Sequence, residues 1–426
     1  MCRVRNYIVI ITLILFKINV FAQAVYESQT YDNSIKSVQF YRTGNELSYP
    51  YLVLNESTTL TIEFDELSDQ VSEYHLEMFH CNADWTKSIL IPMEYIDGFD
   101  SEKFNDYKHS QNTRKSFIHY RHSFPSPSTR FKMSGNYLVK IFRYGQDNEP
   151  IITKRFLVMD EKITIQPNLG ISGNSPSQRS KLQAVNFNII PGRFPSFNPS
   201  ADFQVVVLQN FRWDNARKNI KPMFIYPDKL EYGFNSENDF TGGNEYRKLD
   251  LRSFGRYGIE IERILWSDTT YFVIMNQDKP RTNNVYQSNF DFNGNFYIGT
   301  RTAPTRSELD IEADYSYVTF RLQAEEAYSD GNVFLFGNFT DWKAKEQFKL
   351  RYKPAKGYYE TEILLKQGIY DYQYILQKTG SKEVDETKIE GSHFETENYY
   401  TILVYFKGIG DKSDQLIGFK HINYYD

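Results

Sequence analysis

The side chains best suited to chemistry gather around one segment. Five of the seven histidines, His75, His80, His109, His119 and His122, lie in or beside Cys81 to Ser116, with the Cys81 thiol among them. Imidazole and thiolate are the usual ligands of zinc, and a thiol beside an imidazole is a common nucleophile and base. Neither chemistry fits the spacing. Structural zinc takes close Cys/His pairs at recognised intervals, which are absent, and nothing local fixes Cys81 against His80 or His119. A lone Cys at a strand end reads as a small buried hydrophobe, and His75, alternating with Leu76, as a wet-face strand residue. Gly242-Gly243-Asn244 lacks the spacing and the following Lys-Ser/Thr of a phosphate-cradling loop, so it reads as a turn. There is no HExxH or GxSxG, and the acids are scattered over wet strand faces and loops. We therefore expect no catalytic residue, no metal site and no cofactor. Binding is favoured over an enzymatic role.

The elements that must position any binding surface are strands. The chain holds 33 Tyr and 33 Phe, with alternating apolar runs and frequent Gly, Pro and Asn. Arg3 and Arg5, the apolar run Tyr7 to Phe16 and the small residues Val20-Phe21-Ala22 spell a signal peptide over residues 1–22, cut after Ala22. Cleavage removes Cys2 and leaves Cys81 alone, so no intrachain disulfide is expected. It also takes three basic residues and no acid, leaving 46 basic against 54 acidic residues, a net charge of −8. Such a balance argues against a nucleic-acid partner.

The rest divides into three β-rich parts. In residues 24–160, six runs such as Leu60 to Phe64 and Tyr137 to Phe142 suggest a sandwich. Leu60, Ile62 and Phe64 alternate with Thr61 and Glu63, which predicts one buried and one wet face. The connection Cys81 to Ser116 is too long for a hairpin and reads as a functional loop or an excursion onto a neighbouring surface. In residues 161–315, Pro167 to Ser180 reads as a linker, Phe203 to Gln209 as a central strand covered on both faces, and Gly299 to Glu308 as polar loop. The aromatics Phe211, Trp213, Phe224, Tyr226, Tyr232 and Phe234 suit either core packing or an exposed face for a partner. In residues 316–426, Val333 to Phe336 reads as a strand, Gly337-Asn338 with Phe339 and Trp342 as its turn, and Tyr370, Tyr372 and Tyr374 at period two as a further strand, with Thr401 to Phe406 among the last.

The order of a hydrophobic strand, Gly-x-Phe-x-x-Trp and Gly-x-Tyr-x-Tyr resembles the early-set β-sandwich related to glycogen-binding modules. The fold class expected is therefore all-β, tandem immunoglobulin-like or early-set sandwiches after a cleaved signal peptide. In sugar-binding relatives the Trp at the position of Trp342 stacks on glucose and a second Trp follows the Tyr-x-Tyr strand. Here Lys378 to Val384 offers no aromatic.

A second resemblance spans most of the mature chain. Phe79-His80-Cys81-Asn82-Ala83-Asp84-Trp85 with Ser88, Glu94-Tyr95-Ile96-Asp97-Gly98-Phe99, Ser110-Gln111-Asn112-Thr113, His119-Tyr120, Ser134-Gly135-Asn136-Tyr137 and Gly243-Asn244-Glu245-Tyr246-Arg247 occur in this order. They look like the plug proteins of the type IX secretion system of Bacteroidota. The resemblance implies a periplasmic protein at the inner face of the outer membrane, sealing the periplasmic opening of the giant outer-membrane β-barrel translocon. It implies a monomer within a hetero-complex, with no small-molecule substrate and with contact residues the sequence does not assign. The alternative is a periplasmic carbohydrate-binding protein using Trp342 of the C-terminal sandwich. An outer-membrane barrel, the other possibility, would need regular alternating strands of about ten residues, and the strands here are mostly shorter.

Overall fold

The computed structural model describes residues 26–425, apart from 148, 174–175, 193, 195, 197, 234–235 and 303–304. The expected signal peptide, residues 1–22, and Phe234 lie outside the described residues. All major elements are strands, arranged as three sandwiches.

The first sandwich faces a sheet ordered Gln29–Thr30, Pro150–Met159, Gly135–Arg143, Tyr74–Cys81 and Ser101–Lys103 against one ordered Ile35–Arg42, Leu60–Glu66, Ile118–Phe124 and Asp106–His109. Its core follows from alternation. Tyr74, Leu76 and Met78 point inward to meet Ile62, Phe64 and Tyr120, while His75 stays half-exposed beside Glu73. The strand Leu60–Glu66 departs from its expected pattern, because every residue in it is buried. On its polar face Glu63 and Asp65 meet Arg306 and Lys366 of the third sandwich instead of water, and Thr61 bonds Thr43 and Ser123 of the first.

In the second sandwich, Thr164–Ile171, Leu182–Ile190 and Leu230–Tyr232 face Arg217–Lys218, Phe203–Gln209, Tyr399–Phe406 and Gln415–Asn423. The first five residues of the expected linker Pro167 to Ser180 are thus strand, paired Pro167 to Phe187 and Gly170 to Ala184. The missing hydrophobic run hid it: the strand lies at a sheet edge, where one apolar residue in two suffices. Phe203–Gln209 is central, as expected. Val205 and Val207 fill its own core, and Val206 and Leu208 pack on Cys81, Trp85, Leu138 and Leu157 of the first sandwich.

The third sandwich is inserted into the second. Its sheets centre on Gly368–Lys378, which pairs with Arg247–Asp250, Phe296–Ile298 and Gly331–Phe336, and on Tyr315–Gln323, flanked by Tyr271–Asp278 and Tyr358–Lys366. Strands on both sides of the boundary expected at residue 315 share one sheet, Tyr271 lying opposite Ser316. Thr401 to Phe406 correspondingly leaves the third sandwich and returns to the second, with Val205 opposite Val404. Two strands far apart in sequence show no mutual signature until they pair, which is why a contiguous division missed this return. A short helix, Arg306–Glu312, stands where polar loop was expected, closed at its start by a Thr305/Glu308 capping box.

Candidate functional site

The turn after Gly331–Phe336 carries Trp342. Asn338–Thr340 forms one tight helical turn, after which Asp341 and Trp342 both take left-handed backbone, φ 58° and 53°. Such a conformation is costly for a bulky residue and needs support from its surroundings. Support comes from three sides. The Arg212 guanidinium lies 4.4 Å from the Trp342 ring centroid, Phe336 meets the ring edge-on at 5.4 Å, and Gly294, itself at φ 79°, leaves so little room that a Cβ there would sit 2.2 Å from Trp342 Cη2. Arg212 is buried and held by Asp214 and Glu386, each at 2.6 Å. One face of the ring is thus taken by a fixed guanidinium and is closed to a glucan chain.

Asp341 fastens this turn to the first sandwich. It accepts a hydrogen bond from the Thr30 backbone N–H at 3.0 Å and ion-pairs with Lys154 at 2.6 Å and Lys345 at 2.5 Å. Burial alone would raise its carboxyl, but the two ammonium groups outweigh burial and hold it well below the usual range.

A second joint explains the buried polar face of Leu60–Glu66. Asp65 receives His119 Nδ1 at 2.8 Å, the Tyr315 hydroxyl at 2.7 Å and Lys366 Nζ at 2.6 Å. Burial disfavours its charge, yet Lys366 and His119 keep the carboxyl below its ordinary value. Beside it, Glu63 pairs with Arg306, and Arg306 with Asp310 of the short helix at 3.1 Å. Glu63, His119 and Asp310 are the three ligating side chains that come together here. Arg121 Nη1, however, is 3.6 Å from Glu63 Oε2 and 3.3 Å from Asp310 Oδ2, so guanidinium groups already serve as counter-cations.

The remaining candidates do not converge. His122 bonds Glu102 at 2.8 Å, His109 is exposed, and His80 packs edge-on to Tyr137, its pKa pushed down to about 4 by burial. Cys81 points to the opposite strand face, into the junction with the second sandwich. Burial pushes its thiol up to about 12, far from a usable thiolate.

Most of the short motifs that stood out in the sequence lie at such joints. Asn112 donates to Glu312 and Gln111 N–H to Ile311 O at 2.9 Å, so the long excursion from Cys81 ends on the third sandwich. Ala83 N–H donates to Asp414 at 2.9 Å, and Asn136 accepts the Tyr405 hydroxyl at 2.7 Å while donating to Asn82 O, which ties the first sandwich to the second. Asn244 donates to Glu390 O, and Arg247 binds Glu390 and Asp278 within the inserted sandwich. Sequence reasoning missed the helix Arg306–Glu312 and its charged partners. Thr305-x-x-Glu308 was the signal that could have found them.

The Type 9 secretion system plug protein 1st domain matches residues 35–160. A crystal structure of a hypothetical protein from Parabacteroides merdae superposes with a TM-score of 0.88 at 32% identity, covering 94% of this chain and 100% of that one. The chain belongs to the type 9 secretion system plug protein family. Comparison with curated proteins gave no significant match. Membership ties this plug-family protein to type 9 secretion and to the cell envelope. Among its described residues no helix is long and apolar enough to cross a membrane.

The plug-family protein also presents apolar side chains to solvent at one end of the first two sandwiches. Ile89, Ile91, Met93 and Phe99 of the long excursion are exposed, as is Ile409, 91% open, on the loop after Tyr399–Phe406. The Glu94–Lys412 pair at 2.7 Å brings these two loops together. The aromatics expected either in the core or on a partner face divide: Phe211 and Tyr232 are buried, Phe224 and Tyr226 exposed.

Proposed function

We propose that this protein is a non-enzymatic periplasmic plug. It sits at the inner face of the outer membrane and covers the periplasmic opening of the β-barrel translocon of the type IX secretion system, as a monomer within a hetero-complex. The observation that carries this reading is the position of the family motifs. Most of them fasten sandwich to sandwich, as a cover for a wide pore needs. A cover made of three independently moving domains would leak, whereas joints such as Asp65–Lys366 and Asp341–Lys154 hold the parts in one arrangement. The exposed apolar loops around Ile91 and Ile409, joined by the Glu94–Lys412 pair, supply the surface on which the barrel rim docks, since large apolar side chains exposed together mark interaction sites.

Affinity purification of the tagged native protein from gently solubilised envelopes tests this. The barrel translocon should co-purify with wild type and fall away with Ile91→Asp/Ile409→Asp at unchanged melting temperature. Purification without the barrel would contradict the proposal.

A further inference from the structure

A cavity of about 310 Å³ opens where all three sandwiches meet, within the range of small-molecule sites and in the kind of place such sites favour. Its aromatic wall is built from Tyr49 of the first sandwich, stacked at 4.4 Å on Phe211 of the second, with Trp213 beside them and Trp342 from the third.

Two features mark it as more than a packing gap. The first is charge. Four acids line the cavity, and each already faces a cation: Glu27 meets Lys343 at 2.6 Å, Glu46 meets Arg306 at 3.5 Å, Asp214 meets Arg212 at 2.6 Å and Asp341 meets Lys154 at 2.6 Å. Arg155 and Lys218, which also line it, have no carboxylate within 4 Å among the described residues. Arg155 donates from Nε to Tyr26 O at 2.7 Å and lies 4.4 Å from the Trp85 ring and 5.6 Å from the Trp213 ring. Burial lowers the Arg155 pKa to about 10, and burial together with the Arg155 charge lowers that of Lys218. Both cations are thus held in an environment that an anion would relieve.

The second feature is backbone strain. Of the ten non-glycine residues with positive φ among the described residues, four line this cavity, in two consecutive pairs: Asn210 and Phe211, at 52° and 58°, and Asp341 and Trp342. Strained residues of this kind gather at ligand clamps, where the surrounding structure over-determines them.

We propose that the cavity binds a small aromatic carboxylate, its charge paired with Arg155 and Lys218 and its ring against Trp213 and the Tyr49–Phe211 stack. Because every sandwich contributes a wall, the bound ligand also clamps the three sandwiches together. This is a site the sequence did not announce, since its residues come from three distant segments. It stands independently of the plug reading.

Calorimetric titration of the purified mature chain with 3-phenylpropionate and with indole-3-acetate, each against its neutral amide, tests the proposal. At least one acid should bind saturably at millimolar concentration or below and raise the melting temperature, with its amide about tenfold weaker or more. Lys218→Glu and Lys218→Met, at an exposed position, should keep the unliganded melting temperature and weaken binding by a similar factor. No saturable binding by either acid, equal binding of acid and amide, or binding untouched in both Lys218 variants would overturn it.

Discussion

At the scale of single residues, the decisive outcome concerns Trp342. Its resemblance to a sugar-stacking tryptophan was plain from Gly-x-Phe-x-x-Trp, but the guanidinium that stacks on it comes from Arg212 in another sandwich, and no spacing reveals that. We expect no retention of wild type or Trp342→Ala on amylose, cellulose or chitin, and a loss of about 2–4 kcal/mol for Trp342→Ala in thermal unfolding. Cys81 was legible as a structural thiol because a lone strand-end cysteine has few alternatives. Being fully buried, it should resist alkylation by iodoacetamide in the native protein, and Cys81→Ser should cost about 1–3 kcal/mol while leaving co-purification of the barrel intact. Asp371 behaves in the opposite sense to the paired acids. Burial raises its carboxyl to about 7, and Asp291 is raised with it by burial and by the charge of Asp371. A carboxyl raised on folding contributes stability that is complete below its unfolded value, near 4, and is lost as the pH climbs to about 7. Asp371→Asn keeps acceptors for the Phe292 and Gly294 N–H groups. It should therefore match wild type at pH 4 and exceed it at pH 8 by roughly 1–3 kcal/mol. Unfolding curves at the two pH values check this.

At the scale of elements, alternation identified the strands but not what covers their second face. Leu60, Ile62 and Phe64 correctly marked the inner face of their strand. Glu63 and Asp65 looked wet because polar side chains satisfied by another domain have the same composition as those satisfied by water. The joint they form is testable. Lys366→Met leaves Asp65 buried without its main counter-charge and should cost about 3–5 kcal/mol, whereas Asp65→Asn/Lys366→Met should recover part of that loss. A double-mutant cycle by denaturant unfolding measures it, and additive single effects would show that the pair is uncoupled. The helix Arg306–Glu312 depends on its cap, so Thr305→Ala should cost about 1 kcal/mol.

At the scale of the molecule, the all-β class was readable from periodicity and turn residues, but the insertion of the third sandwich into the second was not. Phe203–Gln209 shows a continuous apolar run that demands covering on both faces, and only the fold reveals that the covers are the facing sheet of its own sandwich and, on its outer face, the first sandwich. That arrangement places the family motifs at joints, and from it follows the central claim, that one fastened body closes a pore. Conductance of the purified barrel translocon in a planar bilayer, recorded before and after addition of the mature protein to the periplasmic side, tests that claim most directly. The account predicts that wild type abolishes most of the open-pore current and that Ile91→Asp/Ile409→Asp, folded but with its docking loops charged, leaves it flowing. An unchanged current on saturating addition of wild type would contradict it.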